Sequence, residues 1–277
     1  MTSIVVWPNF ELLHTPSMWV VGDTLVSGAE GQPLIGDAAK ILSLPVICRA
    51  PGSRGFFSEE YFSHSFGYCF AGSTLMGQNS YLAITLLLSN LISVNRYVPS
   101  MSDVAQFTMT HLGRAYDQYK VRVAANAAFE VCLFGWCHRE NSLEAWHFFP
   151  ELKHGEWKMT STRHTSMSFG DFIYLGNHKD RASVLLKEAF AQSGQPDVLS
   201  QRAPRRVVQN LIDDEIYPAI GGDQQLAIAN QYGFQPYTLV RPRVRGRPEA
   251  FMSYLGIELS DDNSSVGEAR VGGPGMA

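Results

Sequence analysis

Helical periodicity is confined to two places in this 277-residue chain, and that restricts its fold more than any other feature. Strand-like runs come first, at Ser3 to Trp7, Met18 to Val21, Thr24 to Ser27, Ile41 to Cys48 and Ser65 to Ala71. The period then changes. Met76 to Val94 carries Leu82, Leu86, Leu87 and Leu91 at helical spacing. Ser102 caps a second helix that runs to about Lys120, with Asp103 beside the positive end of its dipole and Val104, Phe107, Met109, Leu112 and Tyr116 for its buried side. Strands return at Ala128 to Cys137, Ala145 to Phe149, Trp157 to Thr160 and Phe172 to Leu175. A second helix pair follows, at Asp180 to Ala191 and from Pro204 or Arg205 to Ile216, and strands close the pattern at Gln225 to Ala229 and Tyr237 to Val240. Helix pairs set between runs of strands indicate sheets covered by helix layers, an α+β chain. Strict βαβ alternation is absent, which argues against a doubly wound parallel sheet.

Composition narrows the function. A net charge of −4 disfavours nucleic acid as the main partner, because phosphate binding needs clustered Lys and Arg. The one basic run, Arg241 to Arg247, reads as a solvated loop. Cys48, Cys69, Cys132 and Cys137 each lie in or beside an apolar run and read as buried thiols. Cys132 and Cys137 with His138 lack the second pair that a metal centre needs, so no metal is expected, and no cofactor motif is found. The first residues lack the basic region and cleavage site of a signal peptide. Tyr81 to Val94 falls short of the roughly 20 residues that cross a bilayer, so a cytoplasmic protein without membrane association is expected. One domain is expected over 1–259, followed by a disordered Ser-, Gly- and Asp-rich tail over 260–277.

The chemistry points to the start of the chain. Thr2 is followed at once by a strand, and methionine is readily removed before a small residue. A threonine with a free α-amine is both nucleophile and base, since the amine, with a pKa near ~8, accepts the hydroxyl proton. Such a centre needs a lysine nearby, a carboxylate to hold it and a backbone amide for the oxyanion. The sequence offers Val21-Gly22-Asp23-Thr24-Leu25-Val26-Ser27, Ala39-Lys40-Ile41-Leu42 and Phe70-Ala71-Gly72-Ser73.

In their order and spacing these segments resemble proteasomal β subunits and the bacterial HslV peptidase, within the N-terminal nucleophile hydrolases. Phe172 to Gly176 resembles the strand and glycine turn before that family's third helix, and Ala219 to Asp223 its late glycine turn. The resemblance spans about Thr2 to Val240. It implies a four-layer αββα sandwich of two antiparallel sheets flanked by helix pairs. It implies Thr2 as nucleophile, Lys40 held charged by Asp23, the Gly72 amide as oxyanion donor and Ser27 as a substrate-binding position that pairs with an extended peptide. The implied protein is a threonine peptidase of a self-compartmentalised homo-oligomeric ring, acting on unfolded polypeptide or peptides supplied by an AAA+ ATPase unfoldase. The sequence departs from the family pattern in a longer first hairpin and at Leu25, Asn177, Tyr217 and Ile220. These departures keep open a catalytically silent scaffold subunit of the same fold, and the resemblance leaves a further alternative, an amidase acting on a small molecule, because the wider superfamily includes such enzymes. His178, beside the Gly176-Asn177 turn, reads as a surface turn residue.

Overall fold

Runs of β-branched and aromatic residues form strands wherever the computed structural model describes them, over residues 2–11, 15–28, 31–123, 128–191, 198–214, 216–241 and 250–276. In chain order the first elements are β1 (Ser3–Asn9), β2 (Ser17–Asp23), β3 (Val26–Ser27), β4 (Pro33–Ile35), β5 (Ile41–Ala50), β6 (Glu59–Gly72), α1 (Thr74–Leu88), β7 (Leu91–Ile92) and α2 (Met101–Val123). Then come β8 (Phe129–Cys137), β9 (Ser142–Lys153), β10 (Glu156–Thr165), β11 (Ile173–Gly176), α3 (Lys179–Ala191), α4 (Val198–Gln201) and α5 (Ala203–Asp213). The last are β12 (Gln224–Asn230), β13 (Gly233–Arg241), β14 (Phe251–Tyr254), β15 (Ile257–Glu258), β16 (Ser265–Val266), β17 (Ala269–Arg270) and β18 (Gly275–Met276).

The first large sheet runs β11-β1-β2-β12-β13-β14-β15, with β18 also paired to β13. The second runs β10-β9-β8-β6-β5-β7. Alternation along β1 shows how the sheets pack. Ile4 and Val6 point into a core shared with Cys69, Cys132 and Phe134 of the second sheet. Val5 and Trp7 point the other way, onto Leu186 of α3 and Val208 of α5. All seven residues of β1 are therefore buried, and the strand reads as an unbroken apolar run. The outer face of the second sheet packs on α1 and α2 through Tyr68, Phe70, Ile84 and Leu112. No described helix is long and apolar enough to cross a membrane.

The expected sandwich of two antiparallel sheets with flanking helix pairs is corrected. Four sheets are present among the described residues, because the β3–β4 and β16–β17 hairpins each pair only within themselves. Each large sheet also contains a parallel pairing, β5 with β7 and β13 with β18. Three helical segments, α3, α4 and α5, follow β11 where a pair was expected. The chain is better described as mixed α/β, with five helices and several sheets among the described residues.

The first long helix differs from expectation too. It stops at Leu88, where the Ser89 hydroxyl donates to Thr85 O at 2.7 Å and the Asn90 amide to Leu86 O at 2.8 Å. Leu91 and Ile92 leave the helix and pair beside Cys48 and Arg49. The inward face of α1 is Met76, Ser80, Ile84 and Leu88, whereas Leu75, Leu82 and Leu86 are 68%, 60% and 69% exposed. The long first hairpin is clamped to α4. Arg202 makes two bonds of 2.9 Å to the Glu11 carboxylate, Trp7 Nε1 donates to Gln201 O at 2.8 Å, and the Phe10 amide donates to the Gln201 side chain.

Gly77 gives a test of the α1 packing. Alanine in a helix normally gains about 1 kcal/mol over glycine. Here a Cβ would drive into the ring of Phe70, which is 1% exposed and has no room to turn. Overpacking costs about 1–3 kcal/mol and outweighs the propensity gain. Gly77→Ala is expected to lower the urea midpoint with the m-value unchanged, and a raised midpoint would show that β6 yields.

Candidate active site

The site is assembled where β1, β2 and β5 begin or end side by side. Asp23 is the last residue of β2 and is fully buried. Its Oδ1 accepts the Ser3 amide at 2.9 Å. Its Oδ2 accepts Leu25 N at 3.2 Å, Gly221 N at 3.4 Å and Lys40 Nζ at 3.0 Å. The carboxylate thus fixes the first residue of β1, the turn after β2 and the glycine turn before β12.

Lys40 precedes β5 and is 1% exposed. An ammonium has three protons to place. Lys40 Nζ has three acceptors, Asp23 Oδ2, Leu25 O at 2.6 Å and Thr2 Oγ1 at 3.1 Å. Thr2 is itself buried, at 4% exposure. Burial raises the Asp23 pKa and lowers that of Lys40, and the attraction between the two groups opposes both shifts. The lysine is therefore held below the ordinary lysine range and needs Asp23 to stay charged.

One support had no motif to announce it. Gln225 lies opposite Gly22 in β12 and is buried. Its Oε1 accepts the amides of Lys40 and Ile41 at 3.0 and 3.2 Å, and its Nε2 donates to Ala38 O at 2.8 Å, which pins the start of β5. On the other side of Thr2, the Asn177 amide donates to the Thr2 carbonyl at 3.0 Å. Gly176 comes so close to that carbonyl, at φ +110°, that no Cβ fits.

The remaining sequence candidates lie further out. Gly72 ends β6 at φ +91°, where a Cβ would strike the backbone of Ala128 and Phe129. It shares the wall of one cavity with Gly176 and Asn177, the residues that adjoin the Thr2 carbonyl. Ser27 sits in β3, paired across to Pro33 of β4. Tyr217 packs against the His178 ring at 4.7 Å, and Ile220 is buried in the core under α3 and α5. Met1 and most of the basic run after Arg241 lie outside the described residues. Among the described residues no group of three or more His, Cys, Asp or Glu side chains is placed to hold a metal ion.

No family model matches the chain, and no curated protein is similar to it. Among solved structures, an Anbu mutant from Hyphomicrobium sp. strain MC1 superposes with a TM-score of 0.54 at 14% identity, covering 85% of each chain. Anbu, described as an ancestral beta-subunit, from Yersinia bercovieri gives a TM-score of 0.45 at 12% identity, over 83% of this chain and 82% of that one. The chain has an Anbu-like fold. The assignment to the bacterial proteasome-like β subunits and HslV-type peptidases is corrected, because no family is matched and an identity of 14% shows the fold alone.

Removing one member of a buried ion pair strands the other, at a cost of about 3–5 kcal/mol. Lys40→Met is expected to lose that much in urea unfolding. Lys40→Met combined with Asp23→Asn, which keeps an acceptor for the Ser3 amide, is expected to recover part of the loss. Strictly additive losses would mean that the two groups are not coupled.

Proposed function

We propose that the protein is a hydrolase that uses Thr2 as an N-terminal nucleophile on peptide bonds. The observation that supports this reading is the contact of 3.1 Å between Lys40 Nζ and Thr2 Oγ1, with the other two ammonium partners being Asp23 and Leu25 O. An ammonium aimed at a hydroxyl lowers the cost of forming the alkoxide. Thr2 Oγ1 attacks the carbonyl carbon of the substrate. Its proton passes to the α-amine of Thr2 and from there to the leaving amine as the C–N bond breaks. Water, deprotonated by the same amine, then cleaves the ester and returns Thr2. In this reading the Gly72 amide carries the oxyanion, and Ser27 lends its backbone to an extended substrate. The amine is free only once Met1 is released.

The outward leucines of α1 support assembly into a homo-oligomer, since a helix that is apolar on both sides wants a cover. Enclosure in such an assembly, fed by an ATP-driven unfoldase, would restrain an otherwise indiscriminate nucleophile. A second reading, a silent subunit of the same fold, is favoured by Ile220, which is buried and apolar where the resemblance implies a serine that helps orient the amine.

Intact mass before and after a peptide epoxyketone separates the two readings. This reagent needs both the hydroxyl and the amine of an N-terminal threonine. A chain that lacks Met1 and gains one inhibitor mass, with the gain abolished in Thr2→Ala, supports the peptidase. A chain that keeps Met1, or loses it and stays unmodified, supports the silent subunit. For the active enzyme, kcat/KM is expected to rise with pH as the amine deprotonates and to fall again as Lys40 loses its proton. Burial lowers the Lys40 pKa, so the alkaline limb belongs below the ordinary lysine range. A profile flat up to that range would remove Lys40 from the mechanism.

A further inference from the structure

A cavity of about 590 Å³ lies beside Gly176 and Asn177, the residues that adjoin the Thr2 carbonyl. That is enough for a bulky group, within the ~300–1,000 Å³ usual for ligand sites. Gly72, Gly176 and Asn177 form the wall nearest Thr2. Phe149, Pro150 and Trp157 supply apolar surface, and Trp157 is left 53% exposed. None of these rings has a role in the chemistry proposed for Thr2.

One polar cluster interrupts the apolar lining. Glu130 of β8 accepts His147 Nε2 at 2.7 Å and Lys179 Nζ at 3.2 Å. Both bonds fall on Oε2, and among the described residues Oε1 accepts none. The carboxyl is held below the usual glutamate range by its bond to His147 and the nearby Lys179 charge, despite the opposing effect of burial. It is therefore an ionised acceptor with one oxygen to spare. His164 also faces the cavity, and burial lowers its pKa, so it stays neutral.

The Glu130 carboxylate and the Lys179 ammonium, 3.2 Å apart, offset each other, so the lining favours neither an anion nor a cation. A neutral ring fits the apolar wall, and a single donor on it satisfies Oε1. We propose that the cavity binds a large uncharged aromatic side chain bearing one ring N–H or O–H, the indole of tryptophan or the phenol of tyrosine, in the substrate segment that flanks the bond attacked by Thr2. The flanking position rests on the Thr2 reading, whereas the binding does not.

N-acetyl-tryptophan amide and its 1-methylindole analogue, titrated calorimetrically into the full chain and into its Thr2→Ala variant, test the site without any turnover. The tryptophan amide is expected to bind both proteins equally. The methylated analogue, which lacks the donor, is expected to bind about tenfold or more weakly, because a hydrogen bond to a charged acceptor is lost. Trp157→Ala, at a half-exposed position, is expected to abolish binding, and Glu130→Gln to shrink the preference for the unmethylated ring. Equal affinity for the two analogues, equal affinity for the corresponding lysine, glutamate and leucine amides, or no binding at millimolar ligand would overturn the proposal. Epoxyketone labelling decides the Thr2 reading separately, so the failure of one leaves the other standing.

Discussion

An ion pair cut off from water survives only if every lone pair and proton around it is used, and the Asp23–Lys40 pair imposes that demand on four separate parts of the chain. Asp23 takes amides from Ser3, Leu25 and Gly221 as well as the lysine. Lys40 is in turn held at its backbone by Gln225. The start of β1, the end of β2, the entry to β5 and the turn before β12 are thereby locked to one another. Moving any of them exposes a charge or leaves a donor unmet. The placement of the Thr2 hydroxyl is a consequence of this lock, because the third proton of the ammonium has nowhere else to go.

Much of the scaffold was legible because its strands are apolar on both faces or alternate cleanly. β1, β5, β8 and β12 lie within a few residues of where the sequence places them. Thr2, Asp23 and Lys40 were legible for a different reason: each sits at the edge of such a strand, in a short segment whose neighbours are diagnostic. The missed elements depend on tertiary contacts. β7 follows an apolar run that continues the helical pattern, and only its pairing with β5 reveals a strand. α4 has four residues, too few to show a period, and its place is marked by the Glu11–Arg202 clamp. The number of sheets was not legible either, since two-residue strands such as β3 and β16 carry no alternation.

The leucines of α1 show a limit of hydrophobic periodicity itself. Leu82 and Leu86 mark a helix correctly but lie on its outward side, while the buried side includes Ser80 and Gly77. A helix apolar all round gives its period without its orientation. Glu130, His147 and Lys179 were equally hidden. They are 17 and 49 positions from one another through Glu130, on β8, β9 and α3, and only the fold brings them to one carboxylate oxygen.

The position of β1 has a consequence for when the surroundings of Thr2 are completed. β1 is an interior strand, paired on one side with its neighbour in sequence, β2, and on the other with β11, which begins at Ile173. The Thr2 carbonyl is gripped only when the Asn177 amide arrives with β11. The carboxylate and the lysine wait longer still, for the Gly221 amide and the Gln225 side chain at the entry to β12. Long-range strand pairing forms late. The surroundings of Thr2 are therefore complete only when segments more than two hundred positions away have folded back onto β1, β2 and β5.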